Sequence, residues 1–489
     1  MADMAAGAGA VRRDRRRHDG GSGSGTVVLL LVQVLTLPQQ SQRALATTHQ
    51  GDIEIKAGFE HELADPPLKG KAASSWSGQQ RSVPTIDVEP VVVPSLGKLA
   101  AQRYLRLGAA LIEHVLMGPP SEDRRRFGEL FGSGGQFYLV SPDSAFKWHW
   151  LETSPGHCNW SRPDAAVADI LKRGASVRGS AGGVWPIHNP AWLAKRASAL
   201  SATQLRTLLT EHITAVVGRY KGRRVLAWDV VNEPLVNFPP SACGRTNWSC
   251  ALFRDTTWSG ATPVDWTRVE AIDPATQKAL GAGAYLALAL QAARAADPHA
   301  ELMINDYNIH TMSENKTHLF LAMVADLLEA GAPLDGVGIQ MHLEDQYSAY
   351  EPAAFAEVVE RINALGLDVH ISELDVAPTC SRCYRNATTA AAMLARQGVI
   401  YASVLGVCLR AKRCSALVMW SATDAHTDRG NLSATPGMAL IDNEYRAKPA
   451  LFAMADVLTM MKTDDGSASL QKSQITSLLI RRIFNRAGF

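Results

Sequence analysis

The sequence predicts an α/β chain built around a (β/α)8 barrel. From about residue 98, short apolar segments alternate with longer amphipathic segments, which is the pattern of successive βα units. Eight apolar segments of this kind follow one another before residue 462, and polar side chains stand directly after most of them. In a barrel, those positions are the C-terminal ends of the strands, where the chemistry of this fold is located. A doubly wound sheet is the alternative fold, but no glycine-rich phosphate loop follows the first predicted strand.

The strand predictions rest on short runs of apolar and β-branched residues. The eight predicted strands are 104–110, 136–140, 175–179, 225–231, 301–305, 336–340, 367–373 and 416–420. The helix predictions rest on apolar residues that recur at helical spacing between those strands. The predicted helices are 122–131, 165–173, 201–219, 276–296, 317–330, 353–365, 388–411 and 449–461. The segment 235–275, which contains Gly, Pro and Trp residues, is predicted as a long loop after the fourth strand.

The first segment of the chain, 1–46, has the layout of a secretory signal. Five arginines lie between Arg12 and Arg17, and an apolar run follows from Thr26 to Leu37. The small residues at 44–46 supply a cleavage site. The apolar run is short for a membrane span, which needs about 20 residues. We therefore expect secretion through the secretory pathway, and a signal anchor in the membrane is the alternative.

Three further segments complete the predicted organisation. Residues 47–97 are polar and contain several prolines, which predicts a linker. Residues 98–462 carry the barrel. Residues 463–489 form a tail in which apolar residues recur at helical spacing beside arginines. An amphipathic helix at a membrane surface is one interpretation of this tail, and a helix packed on the barrel or a tail without fixed structure is the other.

Composition and charge are those of an ordinary globular protein. Hydrophobic residues make up 46% of the 489 residues, charged residues make up 20%, and the formal net charge is +2. A nucleic-acid-binding surface would need a strong basic excess, which the chain as a whole lacks. We therefore expect no nucleic-acid partner.

The seven cysteines fit an oxidising compartment. Cys408 and Cys414 flank a short connection between a predicted helix and a predicted strand, and they form the first predicted pair. Cys243 and Cys250 lie in one loop and form the second. Cys380 and Cys383 form a C-x-x-C motif, and Cys158 is the predicted odd thiol. The motif at 380–383 gives a weak indication of redox chemistry or zinc, because no second pair has metal-ligand spacing. Five sequons would accept glycans in a secreted chain: Asn159, Asn247, Asn315, Asn386 and Asn431.

Two predicted strands deliver a glutamate at their C-terminal ends. Glu233 follows the strand 225–231, and Glu373 ends the strand 367–373. Two carboxyl groups about 5–5.5 Å apart are the equipment of a retaining glycosidase, in which one acid protonates the leaving oxygen while the other attacks. The alternative for each glutamate alone is a salt-bridged residue at the rim of the barrel. The other polar or aromatic residues near strand ends are Lys147, Asn232, Asn305, Asp306, Gln340, His342 and Trp420.

Long motifs around these residues carry a resemblance to a known family. They are Phe146–Trp148, Trp228–Pro234, Ile304–Asn308, Gly338–Leu343, Ile371–Asp375 and Val418–Trp420 with Asp442–Pro449. In this order they resemble the successive motifs of glycoside hydrolase family 10, the endo-1,4-β-xylanases. The resemblance covers roughly residues 100–460, and it implies a TIM-barrel domain that hydrolyses β-1,4-xylan with retention by double displacement.

The resemblance also implies a role for each matching residue. Glu233 matches the acid/base and Glu373 matches the nucleophile, while Asn232 matches the residue that binds the 2-hydroxyl of the attacked sugar. The remaining matches line the cleft, and they are Lys147, Gln340, His342, Trp420, Trp185 and Tyr307. For Trp185, core packing is the alternative. The resemblance implies a polysaccharide partner, xylan, and we expect a monomer with no obligate protein partner. Two carboxylates suffice for the reaction, so no metal and no organic cofactor is implied.

The chain departs from the family pattern at three places. Ser144 stands where the family has Asn, and Ser180 stands where it has His, with one residue inserted before Trp185. The second tryptophan that the family shows after its last strand is replaced by Asp428 or a neighbour. A weaker site or an altered sugar preference follows as a hypothesis. The alternatives are an impaired, lectin-like barrel that binds polysaccharide and a related β-glycosidase that acts on another sugar.

Elementary chemistry sets requirements on the pair. Glu233 must be protonated at rest, so burial or a neighbouring carboxylate must raise its pKa, whereas Glu373 must stay ionised. His342 is expected to hydrogen-bond Glu373, because Gln-x-His on a continuous strand would place Gln340 and His342 on one face. Asn305 and Asp306 are expected to orient Glu233 or to face the leaving-group side. Asp229 and Asp375 are expected to serve structure by bonding neighbouring strand ends.

Overall fold

The computed structural model describes residues 95–253, 262–271, 273–344, 350–378, 387–427 and 437–460. Several predictions fall outside these residues and are named here for that reason. They concern the signal segment 1–46, the linker up to residue 94, the tail 463–489, the C-x-x-C motif, Asp428, and the sequons at Asn386 and Asn431.

The described residues contain nine parallel strands, eight of which close into a barrel. The strands are β1 (Arg106–Leu111), β2 (Leu139–Pro142), β3 (Ser176–Gly179), β4 (Val225–Asn232), β5 (Glu301–Asp306), β6 (Gly336–Ile339), β7 (His342–Glu344), β8 (Asp368–Ala377) and β9 (Cys414–Met419). Each strand from β1 to β5 pairs with the one that follows it in sequence. The barrel is completed by the pairs β6–β8, β8–β9 and β9–β1. The short strand β7 pairs only with the end of β8. The predicted (β/α)8 barrel is confirmed.

Helices connect the strands on the outside of the barrel, as right-handed parallel connections require. They are α1 (Leu96–Ala101), α2 (Glu113–Met117), α3 (Glu122–Glu129), α4 (Trp148–Leu151), α5 (Ser161–Lys172), α6 (Ala191–Arg196), α7 (Ala202–Arg219), α8 (Pro274–Leu280), α9 (Ala284–Ala296), α10 (Asn315–Glu329), α11 (Pro352–Ala364), α12 (Ala387–Arg410) and α13 (Pro449–Met460). The long helix α7 begins with a capping box, in which Ser201 and Gln204 satisfy each other's backbone N–H groups. By length and composition α12 could cross a membrane, but 67% of its apolar window is buried within the protein, as in a core helix.

Several predicted boundaries differ from the structure, and each difference has a local cause. The first strand begins at Arg106 rather than Tyr104, because Tyr104 adopts a left-handed φ of 56° and its side chain is 95% exposed. The second strand begins at Leu139, three residues later than predicted. The predicted helix 276–296 is broken at Gly281, whose φ of 50° ends α8. The strand that carries Glu373 continues to Ala377 because β7 extends its pairing.

The core of the barrel contains a buried ion pair below the catalytic end. Arg178 of β3 donates two hydrogen bonds to Asp229 of β4, at 2.7 and 2.5 Å, and both side chains are fully buried. Burial raises the pKa of Asp229 to about 6, and the Arg178 guanidinium opposes that rise. The pair links two neighbouring strands, so the structural role predicted for Asp229 is confirmed.

Both predicted disulfides within the described residues are present. Cys243 pairs with Cys250, and Cys408 pairs with Cys414, with Cα–Cα distances of 5.7 and 5.3 Å. Cys158 is a free thiol, as predicted, and burial is the main cause that raises its pKa. The first disulfide closes part of the loop after β4, and the second joins the end of α12 to the start of β9.

Candidate active site

Glu233 follows the last residue of β4 in a strained backbone conformation. Its φ of 50° lies in the left-handed region, which side chains other than glycine rarely adopt. The backbone N–H of Glu233 donates to the carbonyl of Asn305 at 2.8 Å, which fixes the turn. Gln340 Nε2 donates to Glu233 Oε1 at 2.8 Å, and Trp185 Nε1 donates to Oε2 at 2.9 Å. Strain of this kind is retained where surrounding contacts hold it, which is common at catalytic positions.

The surroundings of Glu233 favour its protonated form. The pKa of Glu233 is raised to about 7, chiefly by burial and also by the charges of Asp306 and Glu373, while the Gln340 hydrogen bond and Lys316 act in the opposite direction. The two side-chain donors to this carboxyl named above are neutral groups, an amide and an indole. Glu233 therefore has the property that the acid of the pair requires.

Glu373 lies in β8, and its two carboxyl oxygens face Asn305 and His342. Asn305 Nδ2 donates to Glu373 Oε1 at 2.8 Å and to Asn232 Oδ1 at 2.8 Å. The hydroxyl of Ser372 donates to Asn305 Oδ1 at 2.6 Å, which sets the orientation of that amide. Asn305 therefore orients Glu373 through its side chain and Glu233 through its backbone carbonyl, a wider role than the predicted one.

His342 lies between two carboxylates. Its Nε2 is 3.3 Å from Glu373 Oε2, and its Nδ1 is 2.9 Å from Asp375 Oδ2. Carboxylates accept hydrogen bonds, so an imidazolium that carries a proton on both nitrogens satisfies both contacts. The expected contact with Glu373 is confirmed, and Asp375 bonds a neighbouring strand end as predicted.

The prediction that Gln340 and His342 lie on one face of a continuous strand is wrong. Gln340 and His342 do not belong to one continuous strand, because β6 ends at Ile339 and Met341 has a left-handed φ of 59°. This turn sends Gln340 to Glu233 and His342 to Glu373. Both residues reach the site through the break in the strand rather than through alternation along it.

Three more predicted residues lie around this centre. Lys147 Nζ is 3.2 Å from Asp143 Oδ1 and 5.3 Å from the centre of the Trp185 ring. The Trp420 ring packs edge-on at 6.4 Å from the His342 ring, and the Trp420 backbone N–H donates to the carbonyl of Leu374. Lys147 and Trp185 thus lie on the Glu233 side of the site, and Trp420 lies on the Glu373 side.

Tyr307 lies next to a buried lysine that the sequence prediction missed. Lys316, at the start of α10, places Nζ 3.7 Å from the centre of the Tyr307 ring and 2.7 Å from Asp306 Oδ1. Burial raises the pKa of Tyr307 far above its ordinary value, so its hydroxyl stays protonated. The sequence prediction began the helix at Thr317, two residues late, which left Lys316 outside it. No local pattern signals the burial of Lys316, because a lysine at the start of an amphipathic helix is normally exposed.

The chain matches a known protein family over most of its described residues. The profile of glycosyl hydrolase family 10 matches residues 95–457. The chain belongs to glycosyl hydrolase family 10. Endo-1,4-beta-xylanase C of Phanerodontia chrysosporium is 31% identical over 320 residues, which are 65% of this chain and 69% of that protein. Endo-1,4-beta-xylanase B of Thermotoga neapolitana is 28% identical over 324 residues, which are 66% of this chain and 81% of that protein.

Solved structures of family 10 agree with the barrel. Native xylanase 10B from Thermotoga maritima superimposes with a TM-score of 0.61 at 25% identity, covering 75% of this chain and 99% of that one. Xylanase 10B from Thermotoga petrophila RKU-1, solved in complex with xylobiose, gives 0.60 at 25% identity and covers 75% of this chain and 98% of that one. Family membership and fold thus agree with the resemblance drawn from the motifs.

Ser144, where the chain departs from the family 10 pattern, is engaged away from the catalytic pair. Its backbone N–H and hydroxyl donate to the two oxygens of the buried Glu113 carboxylate, at 2.9 and 3.1 Å. Arg162 donates to the same hydroxyl at 2.8 Å. The hydroxyl therefore anchors the segment that leads to Lys147.

The segment after β3, where the resemblance implies an insertion of one residue, is folded tightly against β4. Ser180 is buried, and Ala181 has a left-handed φ of 47°. A Cβ atom at Gly182 would meet the Trp228 ring, and one at Gly183 would overlap the backbone of Val230. The glycines thus let this segment pack closely on β4 while Trp185 still reaches Glu233. Among the described residues, no group of three or more His, Cys, Asp or Glu side chains could hold a metal ion.

Proposed function

We propose that this family 10 protein is a retaining endo-1,4-β-xylanase in which Glu233 is the acid/base and Glu373 is the nucleophile. The observation that carries the proposal is the contrast between the two carboxyl groups. Glu233 is bonded by neutral donors in surroundings that raise its pKa to about 7, whereas Glu373 is held by the Asn305 amide and faces His342. Two carboxyls whose environments separate their protonation states are the mark of an acid and nucleophile pair.

In the first step, Glu373 attacks the anomeric carbon and Glu233 gives its proton to the departing glycosidic oxygen. The bond to the leaving sugar breaks, and a covalent ester to Glu373 forms. Asn305 and His342 keep the attacking carboxylate oriented. Because Asn305 donates to Asn232 Oδ1, the NH2 group of Asn232 keeps its protons for the sugar 2-hydroxyl, a contact that strengthens in the transition state.

In the second step, Glu233 acts as a base. Formation of the ester removes the negative charge of Glu373, which is one of the charges that raise the pKa of Glu233. Glu233 then ionises more easily and takes a proton from water as the water oxygen attacks the anomeric carbon from the face that the leaving group vacated. The ester bond to Glu373 breaks in the same step, which releases the sugar and regenerates the Glu373 carboxylate. Two inversions give a product with retained configuration.

The experiment is hydrolysis of xylohexaose by the wild type, Glu373→Ala and Glu233→Gln. Release of reducing ends by the wild type, a loss of at least about 10³-fold in both variants, and a β-anomeric first product in NMR are the expected results. An α-anomeric first product would contradict the retaining mechanism. Binding of xylohexaose without release of reducing ends by the wild type would instead identify a lectin-like barrel.

The substrate of the proposal is β-1,4-linked xylan. The curated relatives and solved structures described above are named xylanases, and one of those structures contains xylobiose. Parallel rates on xylan and on cellulose test this assignment. Faster hydrolysis of cellulose would favour a β-glycosidase for another sugar, an outcome that the changes at Ser144 and Ser180 make worth measuring.

We further propose that the protein works in an oxidising, extracytoplasmic compartment as a secreted glycoprotein. Support comes from the two disulfides and from the exposure of the sequon residues Asn159 and Asn247. Mass spectrometry of protein purified from its own host is the test. Alkylation before and after reduction and a mass shift after glycosidase treatment report the thiols and the glycans, and fully reduced, unglycosylated protein would contradict the proposal.

A further inference from the structure

The ion pair of Asp306 and Lys316 lies beside the catalytic centre and takes no direct part in the proposed chemistry. Lys316 Nζ is 2.7 Å from Asp306 Oδ1, and both side chains are almost completely buried. The second carboxylate oxygen, Asp306 Oδ2, is also buried, and within the described part of the chain it has no side-chain donor within hydrogen-bonding distance. Burial of two charges is costly unless geometry and further bonds compensate it, so a buried pair at this position calls for a reason.

Asp306 touches both chain segments that hold Glu233. The backbone N–H of Leu235, two residues after Glu233, stabilises the Asp306 carboxylate. The backbone carbonyl of Asp306 accepts from the N–H of Gln340 at 3.1 Å, and the Gln340 side chain donates to Glu233 Oε1. Asp306 is therefore connected to Glu233 from the β4 side and from the β6 side.

The charges that face Glu233 come from several elements. Asp306 at the end of β5 and Glu373 in β8 are anions that raise the pKa of Glu233, and Lys316 of α10 is a cation that lowers it. His342 is in contact with Glu373, Lys316 Nζ lies over the ring of the protonated Tyr307, and Lys147 lies over the Trp185 ring. Asp306 and Lys316 thus act on Glu233 with opposite sign from a fixed, buried position.

We propose that Asp306 and Lys316 are a positioning pair that sets how readily Glu233 gives up its proton. Asp306 keeps Glu233 protonated at rest, and Lys316 limits that effect so that Glu233 still ionises in the second step. The inference rests on the proposed role of Glu233 as acid/base. Asp306 and Lys316 touch no reacting atom. In this proposal they control the protonation state of Glu233, on which both steps depend.

A purely structural ion pair gives a different expectation. Such a pair would reduce stability and activity when either partner is removed, and it would leave the pH dependence of the surviving activity unchanged. An electrostatic pair moves the titration of Glu233, and removal of its anion and its cation must move it in opposite directions. The direction of the shift therefore separates the two roles.

The test compares Asp306→Asn, the double variant Asp306→Asn with Lys316→Met, and Lys316→Arg. In Asp306→Asn the anion is lost while the cation stays, so the alkaline limb of kcat/KM on xylohexaose is expected to move to lower pH by about one unit. Adding Lys316→Met removes the cation as well, so the limb is expected to move back toward the wild-type value. Lys316→Arg keeps the charge and is the matched control, with an unchanged limb.

A second measurement keeps the inference separate from the proposed function. The 13C chemical shift of the Glu233 side-chain carboxyl reports its titration without substrate, in each variant that thermal unfolding shows to be folded. A titration midpoint that is the same in the wild type and in Asp306→Asn would overturn the inference. A midpoint that moves while the kinetic limb stays fixed would uphold the effect of the pair on Glu233 and contradict the role of Glu233 as the acid.

Should Asp306→Asn alone not fold, Lys316→Gln takes its place. This variant removes the cation and keeps a donor for Asp306, so the midpoint of Glu233 is expected to move to higher pH. A midpoint that stays fixed or falls would overturn the inference.

Discussion

Asn305 donates a hydrogen bond of 2.8 Å to Glu373, and the backbone carbonyl of the same residue accepts one of 2.8 Å from the N–H of Glu233. A single residue at the end of β5 thus positions the two carboxyl groups that the proposed reaction needs. The amide cannot rotate freely, because Ser372 donates to its oxygen. A side chain that is itself fixed by a further hydrogen bond can hold a catalytic group in one orientation. The reaction requires such a fixed orientation, because the attacking atom must be aligned with the anomeric carbon.

The first prediction concerns this amide. Asn305→Ala removes the donor to Glu373 Oε1 and the bond to Asn232 while the backbone carbonyl remains. We expect kcat on xylohexaose to fall by about 10²-fold, which is typical for loss of one preorganised donor. Ser372→Ala is the matched control, since it removes only the bond to Asn305 Oδ1 and should cost less. A larger loss in Ser372→Ala than in Asn305→Ala would contradict this account.

The second prediction concerns the effect of Glu233 ionisation on the stability of the folded protein. The raised pKa of Glu233, about 7, means that the folded protein favours the protonated form. At pH 4 folded and unfolded chains are both mainly protonated, so no penalty arises. Between the ordinary pKa of a glutamate and about pH 7, Glu233 is ionised in the unfolded chain but protonated in the folded protein. The folded state therefore loses stability as the pH rises through this range.

Glu233→Gln removes this penalty because glutamine does not ionise. We expect the variant to be more stable than the wild type at pH 8, by on the order of 2 kcal/mol, and equal to it at pH 4. Urea unfolding at both values measures the difference. Glu211→Gln, at an exposed position of α7, is the control and should change neither value. A variant that is no more stable at pH 8 than at pH 4, relative to the wild type, would show that Glu233 ionises freely.

The sequence predicted the barrel and the residues of the site better than it predicted how they meet. Glu233, Glu373, Gln340 and His342 follow apolar strands, and local pattern suffices to find such positions. The left-handed turn at Met341 has no local signature, because methionine carries no preference for it. The contacts of Gln340 with Glu233 and of Asn305 with Glu373 join residues remote in sequence, and no local pattern predicted them.

Lys316 and Ser144 illustrate what local pattern misses. A lysine at the start of an amphipathic segment is normally exposed, and only its distant partner Asp306 explains its burial. Ser144 stands where the family has Asn, and no local pattern predicted its partner Glu113, thirty-one positions away. Tertiary contacts decide in both cases.

The third prediction concerns the segment after β3. Gly183→Ala would drive a Cβ atom into the carbonyl oxygen of Val230, so backbone must shift. We expect a loss of about 2–4 kcal/mol in unfolding free energy and lower activity, since Trp185, two residues further on, donates to Glu233. Gly134→Ala is the matched control, because no atom lies within 4 Å of the added carbon. Equal stability of the two variants in urea unfolding would show that the loop yields without cost.

The last prediction concerns the histidine between two carboxylates. His342→Gln removes the imidazole ring that faces Glu373 at 3.3 Å and Asp375 at 2.9 Å. We expect kcat to fall by about 10²-fold or more, because Glu373 loses a neighbour that orients it. Asp375→Asn keeps the His342 ring and changes only the partner of His342 Nδ1, so kcat should fall less in this variant. Single-turnover rates with an activated aryl xylobioside isolate the attack of Glu373, and a rate unchanged in His342→Gln would show that His342 acts only on packing.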